Sequence, residues 1–108
     1  MSRWTNKPYE IQKISELSRQ LAGSVIVHVV LENGISIEGA IRNIQIGNNA
    51  SSIRIDGGWN YYGNFDIEAL DNQLFNIDFC DVKSITNMWN ERKEQYEKAG
   101  LIQIIPNI

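Results

Sequence analysis

Between Pro8 and Ala22 the apolar residues Ile11, Ile14, Leu17 and Leu21 recur at steps of three and four. That spacing lines up one side of an α-helix and predicts a helix over residues 8–22. Thr5 or Asn6 offers an oxygen to the first free amides, Pro8 suits the first turn, and Gly23 closes the segment. Ser15, Glu16, Arg19 and Gln20 fall on the opposite, wet side. From Val25 the period changes. Val25 to Glu32 is a β-branched run ending at Asn33-Gly34, the two-residue signal of a tight hairpin. Ile35, Ile37, Ala40, Ile41, Ile44 and Ile46 carry the pattern on as a second, longer strand. Gly39 inside it offers no side chain to obstruct a sharp bend, as at the corner of a small barrel.

The rest of the chain continues in short pieces. Gly47 to Ser51 reads as a loop, and Ser52-Ile53-Arg54-Ile55-Asp56 alternates as a third strand. Gly57 to Gly63 reads as a loop carrying Trp59, Tyr61 and Tyr62, and the polar stretch Asp66 to Asn72 as a turn region. Leu74 to Phe79 supplies a fourth strand with Phe75, Ile77 and Phe79 on one face. A tight break at Asp81-Val82 leads into a fifth strand from Ser84 to Trp89. Asn90 is placed to cap a last helix running through Lys98, with Glu91 and Glu94 near its positive end and Gly100 closing it. The tail from Leu101 to Ile108 is apolar enough to require cover from this domain or a neighbouring subunit. One helix followed by five closely spaced strands predicts a mainly β fold, a small, strongly bent five-stranded barrel. An open two-layer α+β sheet is the competing arrangement. All 108 residues are expected to form one domain: helix 8–22, barrel strands from about 25 to 89, and a C-terminal helix and tail over 90–108.

Composition narrows the function classes. The longest apolar run, Val25 to Leu31, is seven residues and contains His28, against the roughly 20 a membrane span needs. The first eight residues lack the apolar core of a signal peptide, and a lone Cys80 makes no internal disulfide. A cytoplasmic protein with no membrane partner is the expectation. Cys80 and His28 alone form no metal cluster, and Asp66, Glu68 and Asp71 lack the spacing of a calcium loop, so neither metal nor cofactor is expected. With no nucleophile–base pair and no phosphate loop in the sequence, a non-enzyme is expected as well. Net charge is −3, unevenly spread. Residues 1–22 hold four cations against two acids, net +2, whereas residues 23–88 hold three cations against eight acids, net −5. Arg42, Arg54 and Lys83 stand singly on strands and read as solvated positions.

The run Val27-His28-Val29-Val30-Leu31-Glu32-Asn33-Gly34-Ile35-Ser36-Ile37-Glu38-Gly39-Ala40-Ile41-Arg42-Asn43-Ile44, behind a helix end at Leu21, resembles the first motif of the Sm/LSm family, and within it the bacterial Hfq branch most. Leu74 to Met88, with Phe79-Cys80-Asp81-Val82-Lys83-Ser84-Ile85, resembles that family's fourth strand, tight turn and fifth strand. The resemblance implies a ring in which the fourth strand of one subunit pairs with the fifth strand of the next. It would place Leu74, Phe75, Ile77, Phe79, Ser84, Ile85 and Met88 at the subunit interface of a homomeric ring of about five to seven copies. It implies single-stranded RNA near the pore, in RNA processing or regulation. The Hfq-type Lys-His pair falls on Cys80-Asp81, an acid in place of a cation, and the expected pore aromatic falls near Gly47. The RNA-contact candidates are then the amides Gln45, Asn48 and Asn49, the aromatics Trp59, Tyr61 and Tyr62, and the helix cations Lys13 and Arg19. The alternative is a non-enzymatic ring that serves as a scaffold for protein partners and binds no RNA.

Overall fold

The computed structural model describes residues 4–48 and 60–104. Helix α1 (Pro8–Ala22) precedes strands β1 (Ile26–Leu31), β2 (Ser36–Asn48), β3 (Tyr61–Glu68), β4 (Leu74–Asp78) and β5 (Val82–Asn87), and helix α2 (Trp89–Lys98) follows. One turn of 3-10 helix, Phe79–Asp81, joins β4 to β5. The strands form one antiparallel sheet in the order β4-β3-β2-β1-β5. At the β1–β2 hairpin Gly34 takes φ 88°, backbone that glycine adopts freely, and Asn33 Oδ1 accepts from Ile35 N at 3.0 Å.

Strand β2 is where the sheet folds over. Its first part pairs with β1, from Ser36 opposite Val30 to Ala40 opposite Ile26. Its second part pairs with β3, from Ala40 opposite Glu68 to Asn48 opposite Tyr61, and the register slips between Ile41 and Asn43. Such a slip bends and twists a strand. The bend brings β3 hard against Gly39, where a Cβ would lie 2.8 Å from Glu68 O and 3.1 Å from Ile67 Cβ. The close approach is to backbone, which has little room to give.

Alternation then sorts the side chains. Val27 and Val29 of β1, Phe65 and Ile67 of β3, Ile77 of β4 and Ile85 of β5 turn inward and are buried with Phe79, Cys80 and Val82. Ile14 and Leu21 of α1 cover this core, with Leu17 packed partly against it. A second cluster lies outside the bend, where Ile26 and Ala40 are covered by Tyr96 of α2 and by Leu101. Glu38 accepts from the Tyr96 hydroxyl at 3.2 Å and pairs with Arg92 at 3.3 Å. Arg42 pairs with Glu68 at 2.8 Å and donates to Leu101 O at 2.6 Å. The described part of the apolar tail is therefore tied to its own sheet.

Burial, then the charge of Glu38 and its hydrogen bond, hold the Tyr96 phenol above its ordinary pKa of 10.0, with Arg92 opposing. The folded chain keeps a proton that the unfolded chain releases. This part of the stability is complete below about pH 10 and falls as pH rises beyond it. Melting curves across that range should show the Tyr96→Phe variant losing less stability with pH than the parent. Equal slopes would show that Tyr96 is not shielded.

Several expectations are corrected. Tyr61 and Tyr62 lie on a strand rather than in a loop, and so do Asp66 and Glu68. The turn is confined to Ala69–Asn72, closed by Asn72 N to Ala69 O at 2.9 Å with Asn72 at φ 70°. Cross-strand pairing to β2 holds this polar stretch extended, overriding its weak strand propensity. The third strand read at Ser52–Asp56 lies outside the described residues. Phe79 belongs to the 3-10 turn, and β5 begins at Val82. Asn87, not Asn90, supplies the side-chain bond at the start of α2, accepting from Trp89 N at 2.9 Å. Lys7 is the N-cap of α1 and makes no side-chain cap. Thr5 instead donates its hydroxyl to the buried Glu10, at 2.6 Å.

Candidate functional site

Both outer edges of the sheet follow from register. Ala69 N bonds Gln73 O, and in an antiparallel ladder backbone groups alternate in direction. The amides and carbonyls of Phe75 and Ile77 therefore turn toward β3, and those of Leu74, Asn76 and Asp78 turn outward. On the other side Met88 N bonds Ile26 O, so Ser84 and Thr86 face β1 while Ile85 and Asn87 face outward. The Gln20 carboxamide reaches from α1 to donate to Ile85 O at 2.7 Å. Among the described residues, no strand pairs with the outer side of β4 or of β5. The side chains of Ile77, Phe79 and Ile85 are committed to this chain's own core, and Phe75 packs partly against it. Met88 packs partly in the second cluster, while Leu74 and Ser84 are exposed. What the edges offer a neighbour is chiefly backbone.

Among the described residues, the RNA-contact candidates fall in separate places. Tyr61 and Tyr62 are half-buried near the end of the β2–β3 pair, and Asn48 is exposed opposite Tyr61. The Tyr62 ring lies over Gly47, where a Cβ would come within 2.5 Å of it, and meets Trp4 edge-on at 4.9 Å. Gln45 is exposed on the outer face opposite Asn64. Lys13 is held elsewhere, paired with Glu32 at 3.1 Å and donating to Cys80 O at 3.0 Å. It ties α1 to the sheet. Arg19 is exposed in the last turn of α1 and donates to Ser15 O at 3.4 Å. Asn49 and Trp59 lie outside the described residues.

Two features escape a reading by sequence spacing. Register aligns Asn43, Asp66 and Asn76 in one cross-strand row and Gln45, Asn64 and Asp78 in the next, on the outer face. Asn76 Nδ2 links them, donating to Asn64 Oδ1 at 3.0 Å and Asp66 Oδ1 at 2.7 Å. Thr5 is joined to Tyr61 by reciprocal backbone bonds of 2.8 Å, so the segment before α1 is pinned beside β3. The Trp4…Tyr9 spacing around Pro8 was the available signal for that segment.

No family model matches the chain, and no curated protein matches it. A crystal structure of a Xanthomonas campestris protein, described as adopting a novel variant of the Sm-like motif, is similar at TM-score 0.64. The likeness covers 82% of this chain and 95% of that one. The fold is Sm-like. At 15% identity the likeness extends to the fold alone. In this Sm-like chain the bent β2, the helix laid over the core and the short turn between β4 and β5 leave the two edge strands facing outward. Among the described residues no helix is long and apolar enough to cross a membrane, and no group of three or more His, Cys, Asp or Glu is placed to hold a metal ion.

Proposed function

We propose that this chain is a non-catalytic, ring-forming Sm-like protein of the Hfq kind, whose copies join edge to edge and bind single-stranded RNA. The observation that carries the proposal is the outward pairing potential of β4 and β5 in one sheet. An open edge is a template for another chain, and repeating the same heterologous contact around an axis satisfies every copy at once. Light scattering should give about five to seven times the 12.3 kDa chain mass, roughly 60–90 kDa. A single-chain mass at high concentration would remove the ring. Fluorescence anisotropy with A-rich and U-rich oligonucleotides at low salt then tests RNA.

One observation favours a second reading. Residues 23–88 carry net −5, and Lys13 of the positive segment before them is engaged in an internal ion pair, which leaves few cations to neutralise phosphates. An intact ring that binds neither oligonucleotide at micromolar protein would remove the RNA reading and favour a scaffold for protein partners.

A further inference from the structure

We infer that the cavity formed by the segment before α1, the first turn of α1 and Asn60, lined by Trp4, Tyr9 and Lys7, is a stacking site for a base of single-stranded RNA. The inference rests on the RNA reading above and assigns it a place. The cavity is about 530 Å³, lined by Trp4, Thr5, Asn6, Lys7, Tyr9, Glu10 and Asn60, a size that accommodates a small ligand. Trp4 is 53% exposed and Tyr9 66% exposed. They are the large aromatics left in water among the described residues, and both border one cavity; the other large exposed apolar side chains are aliphatic. Polar groups make up much of the remaining wall, which suits a base with its hydrogen-bonding rim better than an apolar side chain.

The site is built in advance. Reciprocal backbone bonds hold Thr5 to Tyr61, and the Thr5 hydroxyl ties the segment to buried Glu10 in the first turn of α1. Tyr62 meets Trp4 edge-on, at an interplanar angle of 69°, and fixes the indole by its contact. An indole already in contact with Tyr62 loses little freedom when a base stacks on it. The lining holds one cation, Lys7, and one carboxylate, Glu10, which accepts from the Thr5 hydroxyl. In the inferred site Lys7 meets the phosphate next to the stacked base.

The test is anisotropy of labelled A-rich and U-rich oligonucleotides with the full chain and with Tyr9→Ala, Trp4→Ala and Lys7→Gln. Losing one stacked aromatic should weaken binding roughly 5- to 150-fold. Lys7→Gln should flatten the salt dependence by about one phosphate contact. Tyr9→Ala removes a side chain 66% exposed, so circular dichroism should be unchanged for it. If the parent binds and both aromatic variants bind as tightly, the site is overturned while the RNA reading stands. If the parent binds neither oligonucleotide, both fall together.

Discussion

Phe79→Ala is expected to lower the stability of the fold by about 3–5 kcal/mol, a large share of the roughly 5–15 kcal/mol that keeps an ordinary domain folded. Phe79 is fully buried, meets Phe65 at 4.9 Å between ring centres, and fills the space that Gly63 leaves by having no Cβ. An added Cβ at Gly63 would lie 2.8 Å from the Phe79 ring and 2.8 Å from Ile14. Strand β3, helix α1 and the 3-10 turn therefore converge on this one ring. Removing it opens a cavity at the point where three elements meet, and the backbone of β3 cannot collapse into it without breaking its pairing to β2. Urea unfolding with the parent as reference is the measurement. A residue that served only subunit contact would behave differently: the variant would fall to single chains with its urea midpoint unchanged. That result would place the ring outside the core and sink the packing described here.

Much of this architecture is legible in the residues. Helix α1 follows from the stripe Ile11, Ile14, Leu17 and Leu21, and β1 and the start of β2 from β-branched alternation around Asn33-Gly34. The sequence places a bend at Gly39; the register slip falls further on, between Ile41 and Asn43, and Gly39 is where β3 leaves no room for a side chain. Strand β3 was not. Tyr61 to Glu68 includes Gly63, Asn64 and Asp66, residues with poor intrinsic strand preference, and only cross-strand pairing to β2 and β4 makes them extended. The site was harder still. Lys13 reads as a free cation from its place on the helix, and only the fold brings Glu32, 19 residues away, and Cys80 O, 67 residues away, to its ammonium. Trp4 and Tyr9 carry no periodicity, so their shared cavity depends on the Thr5–Tyr61 bridge, a contact between distant parts of the chain.

The same register arithmetic that separates inward from outward backbone on β4 yields a paired experiment on assembly. If copies join through β4 as proposed, Asn76→Pro is expected to reduce the assembly to the 12.3 kDa chain while leaving its circular dichroism in place. The Asn76 amide faces away from β3, so a proline there removes a donor that the chain's own ladder does not use. It does bring a ring carbon into the path of any strand docking on that edge. The side-chain bonds from Asn76 to Asn64 and Asp66 are lost too, at about 1 kcal/mol each, which a folded domain of ordinary stability tolerates. One residue earlier the outcome reverses. The Phe75 amide faces β3, and Phe75→Pro removes a bond within the sheet and a side chain packed against the core, so it should unfold the chain outright. Size-exclusion chromatography with light scattering separates the results, since an intact ring differs from a single chain in mass, and a folded single chain differs from an unfolded one in elution volume at the same mass. If Asn76→Pro runs at the parent's assembled mass, copies meet through another surface, and the outward edge of β4 has no part in holding them together.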